Sequence, residues 1–169
     1  MGSGDRPSAL KLAVVGVLAL GALAAGRRAP RAFRFEPDAV AELRQLWSTS
    51  LAAKAERVAC LAGEMRSDTM RVTRILPLSA GSDSLYVAAR SSLEECAPPA
   101  WQGMVHTHVA LRPDGRPYSV FSGADRGVNT LWWRRWQTDG VFCVVFSSQD
   151  AYCELDGPSG FTIFPHAIY

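Results

Sequence analysis

A chain of 169 residues that is 48% hydrophobic and 20% charged has the make-up of one globular domain with a short appendage, which excludes a disordered or low-complexity protein. The formal net charge is only +2, and Arg27, Arg28, Arg31 and Arg34 concentrate positive charge in the amino-terminal quarter. The domain itself therefore lacks the basic face that nucleic acid requires, and no nucleic-acid partner is expected.

Residues 12–25, LAVVGVLALGALAA, form an unbroken apolar run after Lys11 and before Gly26-Arg27-Arg28. Its length lies between a signal-peptide core and a short membrane span. The arginines follow the run, and the positive-inside rule keeps such a flank in the cytoplasm. The expectation is an N-terminal apolar helix in segment 1–26, acting as a single-pass membrane anchor with the domain on the cytoplasmic side. The small-residue site Ala22-Leu23-Ala24 keeps open cleavage as a signal peptide, with a secreted or periplasmic domain. Residues 27–36 read as a basic linker and 37–169 as the domain.

Pro37-Asp38-Ala39 opens a helix expected to run to about Ala55, with Val40, Leu43, Leu46, Trp47 and Leu51 along one face. Strands follow at Glu56–Ala62 and Arg71–Leu78, separated by a turn at Arg66–Thr69. In the second strand Val72 and Arg74 share one side and Arg71, Thr73 and Ile75 the other. A short strand is expected at Leu85–Val87 and a helical turn at Ala89–Cys96, ended by Pro98-Pro99. Met104–Val109 reads as a strand, RPDGRP at 112–117 as a turn, and Tyr118–Phe121 as a short extended piece. A helix over about Gly123–Gln137 sets Val128, Leu131, Trp132 and Trp136 on one face. The all-apolar run Val141–Ser147 suits a strand buried on both faces, with Ala151–Leu155 as its hairpin partner and an edge strand within Gly160–Tyr169. This order makes an α/β fold with a mixed β-sheet.

Cys60, Cys96, Cys143 and Cys153 show no C-x-x-C spacing and fall mainly in apolar strands, which suggests buried free thiols. A Cys143–Cys153 disulfide across neighbouring strands is the alternative for a domain outside the cytoplasm.

The chemistry gathers in the stretch from Trp101 to Asp125. In a strand, residues two apart project to one face about 7 Å apart, so His106 and His108 can converge on one ion. Asp125 offers a third ligand, and two imidazoles with a carboxylate leave the open fourth position that a catalytic zinc needs. Each part also has an ordinary explanation. An H-x-H pair occurs as packed or exposed side chains, and Ser122-Gly-Ala-Asp125 is also a capping box. Asp114 is a rival ligand, although Asp before Gly is common turn chemistry. His166 reads as exposed rather than as a ligand.

Taken together, Glu56 in ERVACLAG, His106 and His108 in GMVHTHVAL, and Ser122 and Asp125 in FSGADRGVNT resemble the JAMM (MPN, Mov34) metalloprotease family, over about residues 37–156. Two features depart from that pattern. Val109 stands where a proline usually follows the second His, and the thirteen residues between His108 and Ser122 include the extra turn at 112–117. The resemblance implies a deaminase-like sheet sandwiched between helices. It implies that His106, His108 and Asp125 ligate Zn2+, that Glu56 moves the water proton, and that Ser122 supports the oxyanion. The implied activity is zinc-dependent hydrolysis of an amide or isopeptide bond in a protein, peptide or ubiquitin-like substrate. A non-catalytic MPN-type scaffold or binding module is the alternative. A structural zinc is disfavoured, because such sites close with four protein ligands and usually include Cys.

Overall fold

The computed structural model of the chain describes residues 30, 32–79 and 92–169, and of 165–168 the backbone alone. The apolar run at 12–25, the strand expected at 85–87 and the side chain of His166 lie outside what is described. Among the described residues, no helix is long and apolar enough to cross a membrane.

Seven strands form one mixed sheet: β1 (Ala32–Phe35), β2 (Val58–Arg66), β3 (Thr69–Pro77), β4 (Gly103–Thr107), β5 (Gly140–Val145), β6 (Asp150–Gly157) and β7 (Gly160–Ile168). Their spatial order is β1-β3-β2-β4-β5-β6-β7. The pairs β1/β3 and β4/β5 run parallel and the others antiparallel. Helix α1 (Pro37–Ala53) packs on one face and helix α2 (Gly123–Trp136) on the other.

Side-chain alternation assigns the two faces. Ala59, Leu61, Val105, Val141, Cys143, Val145 and Cys153 join Leu43 and Leu46 of α1 in one core. Cys60, Met104, Phe142 and Val144 join Trp132 of α2 in the other. Even-numbered residues of β4 thus face α2 and odd-numbered ones face α1.

Several expectations need correction. Residues 32–35, expected within the linker, form β1 beside β3, because Phe33 and Phe35 reach across to the far edge of the sheet. Their rings meet Phe164 and Tyr169 at centroid distances of 5.3 and 5.9 Å, which brings the two edge strands together. Helix α1 buries Ala39, Leu43, Leu46 and Ser50, while Leu51 is 53% exposed. It stops at Ala53, where Lys54 turns left-handed and donates back to Leu51 and Ser50.

The simple alternation expected in β3 is broken by a bulge. Ala62 pairs with Arg74 and Gly63 with Val72, so Thr73 is the extra residue and both Val72 and Ile75 reach the core. Gly63 permits this, since a Cβ there would lie 2.6 Å from the Arg71 carbonyl oxygen. In α2 the buried residues are Asp125, Asn129 and Trp132, whereas Leu131 is 57% exposed.

The cysteines are not free thiols. Cys143 and Cys153, opposite each other on β5 and β6, form one disulfide, and Cys60 of β2 forms another with Cys96. The second ties the helical turn at residues 92–95 to the α2 side of the sheet. There the indole N–H groups of Trp132 and Trp136 donate to the carbonyls of Cys96 and Leu93 at 3.0 and 2.9 Å. Trp132 is core, and Trp136 packs half-buried against it.

Candidate metal centre

The site begins with how β4 is seated. Gly103 starts the strand at φ +154°, and a Cβ at this position would fall 1.8 Å from the carbonyl oxygen of Val141. Only glycine lets β4 lie this close to β5. Four residues on, Thr107 turns to the α1 face. Its hydroxyl donates to Ser50 Oγ at 2.8 Å and accepts from the Arg57 amide at 3.0 Å, while its own amide donates to the Arg57 carbonyl at 3.0 Å. Thr107 thereby fixes the residues on either side of it, His106 and His108, toward α2.

His108 lies just past the end of β4, one residue short of the expected strand limit, with its amide still bonded to the Val145 carbonyl at 2.8 Å. Its Nδ1 is 2.8 Å from the carbonyl oxygen of Tyr118. A carbonyl can only accept, so Nδ1 carries a proton and Nε2 is the ring atom turned toward Asp125, the arrangement of metal-binding histidines. Tyr118 is delivered by the residue 112–117 turn. This segment is a small hairpin closed by the Leu111–Pro117 bridge and by Arg112 N–H donating to the Arg116 carbonyl at 2.8 Å.

Asp125 comes from α2, where the capping box of S-x-x-D is formed and its carboxylate also approaches both histidines. Ser122 is the N-cap: its Oγ accepts from the Asp125 amide at 3.2 Å, and Asp125 Oδ2 accepts from the Ser122 amide at 2.6 Å. The same carboxylate places Oδ1 3.5 Å from His106 Nε2 and Oδ2 3.5 Å from His108 Nε2. The two Nε2 atoms are 2.9 Å apart. All three residues are buried, and their ligand atoms lie within 4.8 Å of one another, a group that could hold a metal ion.

The electrostatics agree with that role. Burial alone would raise the Asp125 carboxyl, but hydrogen bonds from His106, His108 and Ser122 and the nearby imidazoles hold it well below the usual carboxylate range. Burial alone would lower His108, but Asp125, the Tyr118 carbonyl and the charge of Glu56 raise it above its ordinary value. The site is thus a buried anion facing two imidazoles, ready to exchange protons for a cation.

Glu56 lies at the same end of the sheet, ahead of β2, where Val58 pairs with His106. It is partly buried and close enough for its charge to act on His108. Ser122 is exposed, and its oxygen accepts from the Asp125 amide at 3.2 Å. Asp114 is not part of the group. It is exposed in the hairpin turn, where its carboxylate accepts from the Arg116 amide at 3.0 Å.

Two partners were missed in the sequence. The Tyr118 carbonyl is a backbone group and leaves no sequence signal. Glu154, 1% exposed, accepts both Arg126 Nη groups at 2.7 Å and the Tyr152 hydroxyl at 2.7 Å. Its signal was an acid between the apolar residues Cys153 and Leu155 and an arginine directly after the candidate ligand.

No family model matches the chain, and no curated protein matches it. Among solved structures it is similar to protein DSY2949 from Desulfitobacterium hafniense, with 14% identity and a TM-score of 0.48 over 78% of this chain and 89% of that one.

Proposed function

We propose that the domain is a zinc-dependent hydrolase of the JAMM type, cleaving an amide or isopeptide bond in a protein or peptide substrate. The observation that carries this reading is the convergence of His106, His108 and Asp125 with Glu56 beside them. The donor atoms lie close enough to share one ion: the two Nε2 atoms are 2.9 Å apart, Asp125 Oδ1 is 3.5 Å from that of His106 and Oδ2 3.5 Å from that of His108, and one ligand atom from each residue lies within 4.8 Å of the others. Two imidazoles and a carboxylate are also the donor set of catalytic zinc, and no cysteine is available, since all four are in disulfides.

Held by His106, His108 and Asp125, zinc would supply Lewis acidity and would bring the pKa of water in the open position down toward neutrality. The other steps belong to the chain. Glu56 accepts the proton of the attacking water and returns it to the departing amine. The Ser122 hydroxyl donates to the oxygen on which charge develops. Tyr118 and Ser122 hold His108 and Asp125 so that neither has to reorganise during the reaction.

Two disulfides in so small a domain support placing it in an oxidising compartment, in place of the cytoplasmic side suggested by the arginine flank. Membrane attachment through residues 12–25 is compatible with either side. Within the substrate class, such a location favours extracytoplasmic proteins and peptides over ubiquitin-like modifiers.

Glu56→Gln tests the mechanism, because it preserves volume and touches none of the three ligands. Zinc content and melting temperature are expected to stay at wild-type levels while hydrolysis of peptides bearing an isopeptide bond falls about a hundredfold to ten-thousandfold. An active wild type matched by an equally active Glu56→Gln protein refutes the mechanism. A wild type that binds zinc but cleaves no peptide or ubiquitin-like tail favours the scaffold.

A further inference from the structure

We propose that Glu154 and Arg126 are positioning residues for the metal ligands, forming a clamp that fixes the first turn of α2 on β6. The proposal rests on His106, His108 and Asp125 being a metal site.

Two local rules are broken at one spot. Glu154 is a carboxylate at 1% exposure on a strand, between buried Cys153 and half-buried Leu155, and an unpaired buried charge costs several kcal/mol. Arg126 puts a cation in the first turn of a helix, where the helix dipole disfavours it. Each compensates the other. Arg126 Nη1 donates to Glu154 Oε2 and Nη2 to Oε1, both at 2.7 Å, in a bidentate pair that fixes orientation as well as distance. Tyr152 locks the acceptor by donating its hydroxyl to Oε1 at 2.7 Å.

Buried ion pairs are often replaced by apolar residues of similar volume without loss of stability, and the Arg126 side chain is 43% exposed, so packing alone does not account for the ions. Their location does. Arg126 directly follows Asp125, so the pair determines where the helix start, and the carboxylate on it, stands above the sheet. The second ligand is reached through Phe121. His106, Val144 and Tyr152 are aligned across β4, β5 and β6. The Phe121 ring spans this row, 5.6 Å from the His106 ring and 5.8 Å from that of Tyr152, with the Arg126 guanidinium 5.9 Å away. One buried acid thus sets Asp125 through the backbone and supports the ring packed on His106.

The test uses the double variant Arg126→Met/Glu154→Leu, which removes both charges and leaves neither partner alone. Zinc affinity is measured by competition with a chromophoric chelator, and ligand geometry by the visible absorption of the cobalt-substituted protein. If the clamp positions the ligands, the melting temperature stays near wild type while zinc affinity falls about ten- to a hundredfold and the cobalt bands change. A folded double variant with wild-type affinity and cobalt spectrum overturns the proposal. Should the double variant not fold, Tyr152→Phe decides: a loss of about threefold or more supports the clamp, and unchanged affinity overturns it. A wild type that binds neither zinc nor cobalt defeats the metal reading itself, and the clamp with it.

Discussion

Removing the disulfides one at a time gives a quantitative check on how the two faces of the sheet are held. Cys60–Cys96 closes a sequence separation of 36 and Cys143–Cys153 one of 10. If a cross-link acts mainly by restricting the unfolded chain, those loop lengths correspond to about 3.8 and about 2.8 kcal/mol at 25 °C. With a urea slope of about 1.5 kcal/mol/M for a domain of this size, Cys60→Ala/Cys96→Ala should lower the unfolding midpoint by ~2.5 M and Cys143→Ala/Cys153→Ala by ~1.9 M. The assay is urea denaturation of the oxidised protein, followed by tryptophan fluorescence, with thiol titration after unfolding to confirm that both bridges are present. The first pair should cost more for a second reason, because Cys96 belongs to the turn that accepts the Trp132 and Trp136 indoles. Four titratable thiols in protein from an oxidising compartment would refute the bridges. Midpoints that move by less than about 0.3 M, or a larger effect from the shorter loop, would refute the chain-entropy reasoning.

Three further outcomes follow from single residues. Gly103→Ala should destabilise the domain by more than about 3 kcal/mol, read as a large fall in melting temperature, because the new methyl meets the Val141 carbonyl in a backbone geometry suited to glycine; a melt within a few degrees of wild type contradicts this. Ser122→Ala should cost about 1 kcal/mol as a lost N-cap, while Ser122→Asn should restore stability but not hydrolysis if the hydroxyl serves the oxyanion; equal activity in Ser122→Asn and wild type removes that role. Burial pushes the Tyr169 phenol up to about 12, so the folded state holds a proton that the unfolded chain releases near pH 10. Its contribution is present below pH 10 and lost as pH rises toward about 12, and Tyr169→Phe should flatten the stability profile in that window; an unchanged alkaline slope contradicts the assignment.

The sequence carried the local signals well. Period-two spacing set His106 and His108 on one side of a strand, and Ser122 three residues before Asp125 marked a helix start that the structure contains as a capping box. Signals that depend on distant pairing were weaker. Nothing near Thr73 announced a bulge, because its cause is the close approach of Gly63 on the neighbouring strand. The Cys60–Cys96 bridge depends on where the turn at residues 92–95 comes down on the sheet, which spacing along the chain cannot reveal. Phe33 and Phe35 were too short a pattern to read as a strand until their partners at the opposite edge were known. Glu154 and Arg126 were visible only as anomalies, each unfavourable in its own element and reconciled by the other.

The hairpin between Leu111 and Pro117 separates two properties, support and variability, that a single loop often combines. Its stem leads to the carbonyl that orients His108, while residues 112–116 at its tip are exposed. Loop-closure entropy rises slowly with length, so extra residues at Gly115 cost little once the stem has formed. The tip is therefore free to drift, lengthen or take up a partner-specific sequence while the ligand geometry is inherited unchanged. For the experimenter the same separation makes Gly115 the natural place to attach a probe without disturbing the carbonyl that supports His108.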